Sequence, residues 1–208
     1  MIDLALDATQ VAAIYHNGNK ETRDIIKTAL GDQFSTVLPI TDRIKTFDDA
    51  YDELGADHQL CEEYLRLKYS YSATSQDLLA YAKLRIIVAA LNEGWEPQFT
   101  DDEYRYYPAY IFYTQQEVDE MTEERKNELG LVLWGGYASF GSRAGLAFAS
   151  SLYAFSFSSS SYGARLAFKS SDLAVYAGKQ FIEIFANFCF IPSPKVEKTD
   201  KVDVVTKE

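Results

Sequence analysis

The chain has 208 residues, 47% of them hydrophobic and 14% aromatic, with a formal net charge of −11. That length and composition suit one domain with an appendage, or two small ones, able to bury roughly 70% of the unfolded surface, and they exclude a disordered chain. The negative charge, offset by no Lys/Arg run, argues against nucleic acid or an anionic membrane as partner, and no apolar run approaches the roughly 18 residues of a membrane span, so no membrane insertion is expected.

In chain order, Met1-Ile2-Asp3-Leu4 lacks the basic flank and long apolar core of a signal peptide, which predicts synthesis in a reducing cytoplasm. Residues 2–15 and 21–30 carry apolar positions at helical spacing, with Gly31 placed to stop the second run. A third helix is predicted over Thr41–Leu54, with Thr46 a candidate N-cap ahead of Phe47-Asp48-Asp49 and Gly55 beyond its end. The clearest helix spans Ser75 to about Glu93, with Ser75 a candidate cap, Asp77 in the first turn and Gly94 after the end. Its Tyr81, Leu84, Ile87, Val88 and Leu91 share a core-facing stripe. The pattern then turns β-rich over residues 104–113, with Pro108 marking an edge strand or a break. Gln116–Glu128 is charged and suits a short helix or exposed loop, and Gly130–Trp134 a short strand before Gly135-Gly136. Ala164–Phe168 is expected as a strand and Ser171–Phe188 as a closing helix striped by Leu173, Ala177, Phe181, Ile184, Phe185 and Phe188. From Ile191, two prolines and mixed charge predict a disordered tail over 191–208.

The information is concentrated between Tyr137 and Phe168. That stretch holds nine Ser, seven Ala, eight aromatics, three Gly, three Leu and two Arg, and nothing else. None of the 31 acidic residues falls between Gly130 and Phe168. Stiff aromatics with few rotatable bonds, set among small hydrogen-bonding residues, make the composition of a binding surface: much contact area for little entropy lost on docking. Two physical readings compete. Tyr153, Phe155 and Phe157 alternate with Ala154, Ser156 and Ser158, the period of a half-buried strand whose rings would be core. Ser158 to Ser161, four serines in a row, instead suits a loop, and a surface-loop role is the favoured reading for most of the segment.

The order Trp134-Gly135-Gly136, Gly141, Gly145-Leu146-Ala147 and Gly163-Ala164-Arg165-Leu166-Ala167-Phe168 resembles the fixed framework of variable proteins of diversity-generating retroelements, found in phages and bacteria. In that family, adenine-directed mutagenesis rewrites a C-terminal segment, mostly at asparagine codons. An AAC codon with its adenines randomised cannot encode Lys, Glu, Gln, Met or Trp, and all five are missing from Tyr137 to Phe168. The resemblance implies an α+β, C-type-lectin-like domain of short strands and an irregular display region over residues 40–190, preceded by a helical segment over 1–39. It implies a hypervariable region at about 137–168 with ligand contacts at Tyr137, Ser139, Phe140, Arg143, Phe148, Ser150, Leu152, Tyr153, Phe155, Phe157, Ser159 and Tyr162. Trp134, Gly135, Gly141, Gly145, Gly163 and Arg165 would be framework, Arg165 as a structural arginine bonded to loop carbonyls. The implied function is receptor or ligand binding without catalysis, for phage or bacterial attachment through a protein or glycan on a target surface. Virion association and a homo-oligomer fit that role. A virion or fibre subunit whose aromatic stretch is an inter-subunit interface is the alternative.

The residues of catalysis are sparse. His16 and His58 are the only histidines, neither at ligand spacing. No phosphate loop or nucleophile elbow occurs, and Cys61 and Cys189 are expected as buried free thiols. Asp101-Asp102-Glu103 is expected as a solvated turn in preference to a cation site. The calcium and sugar motifs of animal C-type lectins are missing. No cofactor and no metal are therefore expected.

Overall fold

A computed structural model of the protein describes residues 6–70, 75–98, 100, 103–137, 143–155 and 164–190. The architecture is α+β: a helical layer against one three-stranded antiparallel sheet. The tail expected over 191–208 lies outside the described residues.

The N-terminal third is helical, as its periodicity predicts, but the helix expected over 2–15 begins at Ala8, where extended Asp7 caps it, and runs to Asn17. Helix α1 (Ala8–Asn17) starts from a capping box in which Asp7 and Gln10 satisfy each other's backbone amides, and α2 (Lys20–Leu30) starts from Asn19. Two single-turn helices follow, α3 (Phe34–Val37) and α4 (Ile40–Arg43), so the helix expected over Thr41–Leu54 is divided. Its second part, α5 (Phe47–Leu54), begins at the predicted cap: Thr46 and Asp49 form a reciprocal capping box, and Gly55 ends it at φ 88°. Thr46 must be extended to accept the Asp49 amide, and that requirement breaks the longer helix. Helix α6 (Gln59–Lys68) has no counterpart in the sequence reading; the imidazole of His58 caps it by accepting from the Leu60 amide at 3.2 Å.

Helix α7 (Gln76–Asn92) is the central element. Leu84, Ile87, Val88 and Leu91 are buried as the predicted stripe requires, and Tyr81 stacks on Phe188 with ring centroids 5.7 Å apart. Ala80, Ala82, Ile86 and Ala90 are buried as well, so α7 is covered on more than one side by α5, α6 and the C-terminal helices. None of the described helices is long and apolar enough to cross a membrane.

Strand β1 (Tyr104–Tyr113) is followed by α8 (Gln115–Glu120) and α9 (Glu123–Leu129), then by β2 (Val132–Tyr137) and β3 (Arg143–Phe155). The strand expected over Gly130–Trp134 therefore starts later, because left-handed Gly130 caps α9, and runs on through Gly135-Gly136. The order is β1-β3-β2, which makes β1 an edge strand. Tyr106 exchanges both backbone hydrogen bonds with Phe168 on its outer side, at 3.1 and 2.9 Å. Backbone direction alternates along a strand, so Pro108 also turns its nitrogen outward and removes no bond to β3. The register shifts just beyond it, between Ala109 and Tyr110.

Two expectations are corrected here. The surface-loop reading of most of 137–168 fails over 143–155, which is the thirteen-residue central strand. Small Ser and Ala alternating with rings give a pleated surface that ladders along β1 over 145–155 and on β2 at its start, and that fit outweighs the loop tendency of serine. The strand expected over Ala164–Phe168 is instead a 3-10 turn (Ala164–Leu166) with a single bridge at Phe168.

The predicted closing helix is two: α10 (Ser171–Gln180) and α11 (Ile182–Cys189). The break falls at buried Phe181, where α10, lying on β1 and β3, gives way to α11, lying on α7. Leu173, Ala177, Phe181 and Phe185 of the predicted stripe are buried, with Ile184 and Phe188 packed at its margin.

Candidate functional site

The site expected from the sequence is the 137–168 segment, and the fold organises its described part as a hairpin. Tyr137 ends β2, Arg143 begins β3, and the two are opposed across the ladder. Ser139, Phe140, Phe157, Ser159 and Tyr162 lie outside the described residues, as do Gly141 and Gly163 of the expected framework. Along β3 the register sets Phe148 opposite Tyr110, Ser150 opposite Ala109, Leu152 opposite Tyr107, Tyr153 opposite Tyr106 and Phe155 opposite Tyr104. Positions 148 and 150 flank one extra residue, Ala149, so the alternation of faces reverses there. Trp134 and Gly135 lie on β2, and Gly145 pairs with both Leu133 and Tyr113.

Ser150 is exposed. Phe148 is not. Its ring meets Tyr110 edge-on at 6.0 Å, carries the Lys179 ammonium 5.6 Å from its centroid, and closes on Gly178 of α10. A Cβ at Gly178 would stand 2.6 Å from that ring and 2.7 Å from Pro108 Cβ, so the helix approaches the sheet only because position 178 has no side chain. Phe148 is thus a packing residue of the helix–sheet interface. Its place in the alternating pattern resembles that of its neighbours, and only the bulge separates them.

Arg165 also departs from expectation: its side chain is exposed and lines a cleft, in place of a buried role bonded to loop carbonyls. This cleft, about 650 Å³, lies between the α5–α6 turn, the C-terminal half of α7 and the 164–167 strap. His58, Arg85, Trp95 and Glu96 share its wall with Arg165. Its floor is fixed by Asn92, 3% exposed, which donates to the Ala167 carbonyl at 2.8 Å and accepts from the Lys169 amide at 3.1 Å. Sequence reasoning passed over this site because its residues come from three separate segments. The Gly94-Trp95-Glu96-Pro97 break after α7 is the one local signal that marked it.

A second polar cluster joins the N-terminal helices to the core. Arg43, 4% exposed, pairs with Glu53 and with Glu93 and lies over the Phe34 ring at 4.9 Å. Lys27 reaches Glu53 at 3.6 Å, Arg23 reaches Asp49 at 3.4 Å, and Lys169 reaches Glu93 at 3.1 Å. Burial pushes the Glu93 carboxyl up, but Lys169 and then Arg43 outweigh it and hold it below the usual carboxylate range. These partners also hold Glu93 in the left-handed conformation, φ 50°, that closes α7.

Both cysteines are free. Burial pushes the thiols of Cys61 and Cys189 up to about 11, with Asp52 and Asp57 adding to the effect at Cys61. Neither is a thiolate near neutral pH, so neither is an activated nucleophile. His16 contacts the Asp42 carbonyl through Nε2. Among the described residues no three His, Cys, Asp or Glu side chains group as a metal site. No family model, curated protein or solved structure matches this chain.

Proposed function

We propose that the chain is a non-enzymatic binding protein whose contact surface is built on residues 137–168, a variable segment of the diversity-generating-retroelement kind. The observation that carries this reading is the segment's composition: Ser, Ala, aromatics, Gly, Leu and Arg alone, with none of the five residues a randomised AAC codon excludes. A strand-and-hairpin base supports it, because contact residues on a ladder are held in place before the ligand arrives. Within this reading, the domain over 40–190 is a helix-rich variant of the C-type-lectin-like fold. Its ligand is a protein or glycan on a target surface, engaged by a phage or bacterial particle, and several copies of the chain add avidity.

Two experiments test the proposal. The genomic neighbourhood is sequenced for a reverse transcriptase and a near-copy of codons 137–168; a copy differing only at adenines is expected, and its absence removes the diversification. Alanine replacement of Phe140, Tyr153 and Phe157 together is expected to abolish attachment to the target surface.

A second reading has its own observation. Ile111 and Phe112, 47% and 52% exposed, stand on edge strand β1 beside the same segment, an arrangement suited to an inter-subunit contact. A stable oligomer in gel filtration that dissociates when Phe112 is replaced by Lys favours that structural role.

A further inference from the structure

The cleft beside Arg165 is chemically lopsided. The His58 imidazole already accepts the Leu60 amide at Nδ1, so its neutral form keeps the proton on Nε2 and offers a donor. The Trp95 indole is donor-only, and its flat ring is half-buried in the cleft wall. Arg85 pairs one terminal nitrogen with Glu63 at 2.6 Å and lies over the Tyr81 ring at 5.9 Å, with further donors left on its fork. Arg165 is exposed, and no described carboxylate pairs with it. Asn92 has both ends of its amide committed to the backbone at 167 and 169. Among the described residues the one carboxylate on the wall is Glu96, which is exposed. In a chain of net charge −11, two guanidiniums, one of them paired with Glu63, an imidazole and an indole therefore line one hollow whose described wall carries a single carboxylate.

That donor set asks for a ligand rich in acceptors and carrying negative charge. The flat indole asks for a ring with an apolar face. Glu96 asks for a hydroxyl that can donate to it, which a simple carboxylate lacks. A volume of about 650 Å³ falls within the range of small-ligand sites. We propose that this cleft binds an acidic sugar of the uronate type, its carboxylate held by Arg165 and Arg85, its ring against Trp95 and a hydroxyl on Glu96. Of these residues only Arg165 belongs to the 137–168 segment, so the site is a fixed contact beside a surface that varies. It does not depend on diversification: a chain with no template copy would still bind.

The test is a titration of the full chain with D-glucuronate, following the Trp95 indole N–H by NMR, its signal assigned in a Trp134→Phe variant. Saturable shifts are expected, with glucose (the neutral ring) and acetate (the carboxylate alone) each weaker by about tenfold or more. Arg165→Ala is expected to weaken glucuronate by at least about tenfold; Arg165→Gln replaces it as the test variant if the alanine form does not fold. An unmoved Trp95 signal overturns the proposal, as does glucose or acetate binding as well as glucuronate, or wild-type affinity in the Arg165 variant. The triple replacement of Phe140, Tyr153 and Phe157 is expected to leave glucuronate binding intact, which separates failure of this site from failure of the variable face.

Discussion

Asn92 concentrates more of the structure in one side chain than its short amide suggests. It is buried at the C-terminal end of α7, and it satisfies a carbonyl and an amide of the 164–169 strap, more than seventy positions along the chain. Replacement by alanine leaves two backbone groups without partners, and an unpaired buried polar group costs about 1–3 kcal/mol. Asn92→Ala is expected to lower the urea midpoint with an unchanged slope, and to loosen the cleft floor so that glucuronate binding weakens too. A midpoint equal to wild type would mean that water replaces the amide. Arg165 teaches a complementary lesson at this scale. An arginine among glycines and leucines is legible as a feature, but whether it faces carbonyls or solvent depends on which neighbours the fold brings.

At the scale of elements, the caps of α2 and α5 were readable and the breaks were not, while Ser75 heads α7 without a side-chain capping bond and Glu93, ahead of Gly94, closes it. Thr46, Gly31 and Gly55 act where the sequence puts them, because capping is settled within three or four residues. The division of 171–188 at Phe181 follows from two different partners, the sheet for α10 and α7 for α11, which no local pattern carries. The same holds for β3. Its alternation was visible, but the loop reading comes from the serines at 158–161, which lie outside the described residues, and pairing along β1 makes 145–155 strand. The contact between α10 and the sheet yields a direct prediction. Gly178→Ala puts a methyl against the Phe148 ring and Pro108, neither free to move far, and overpacking of this kind costs about 1–3 kcal/mol. Chemical denaturation should show that loss. The double variant Gly178→Ala, Phe148→Ala should recover part of it, since the truncated ring leaves space for the new methyl.

For the molecule as a whole, the Arg43 cluster joins the N-terminal helices, α5, the end of α7 and the strap at Lys169. Its pH dependence has a definite sign. Glu93 has a folded pKa below its unfolded value of about 4.3. The stability it contributes is therefore fully present above the unfolded pKa and is lost as pH falls through the folded one. Lys169→Met removes a cation that depresses that pKa. The stability difference between wild type and this variant should be steady from neutral pH down to the carboxylate range and shrink below it. A difference independent of pH would assign Lys169 a packing role only. Acid unfolding followed by circular dichroism at several pH values makes the comparison.

The sequence by itself determined the local features: the helices α1, α2, α5 and α7 and most of their ends, and the odd composition of 137–168, while Pro108 left an edge strand and a break as alternatives for β1. Each rests on interactions within a few residues, or on a chain-wide periodicity that one strand of text preserves. Tertiary structure alone decided that 143–155 is a central strand, that Phe148 packs inward, that Arg165 opens onto a cleft, and that Arg43 is buried among carboxylates. Those outcomes depend on residues tens of positions apart meeting in space, and no spacing along the chain encodes which of them will meet.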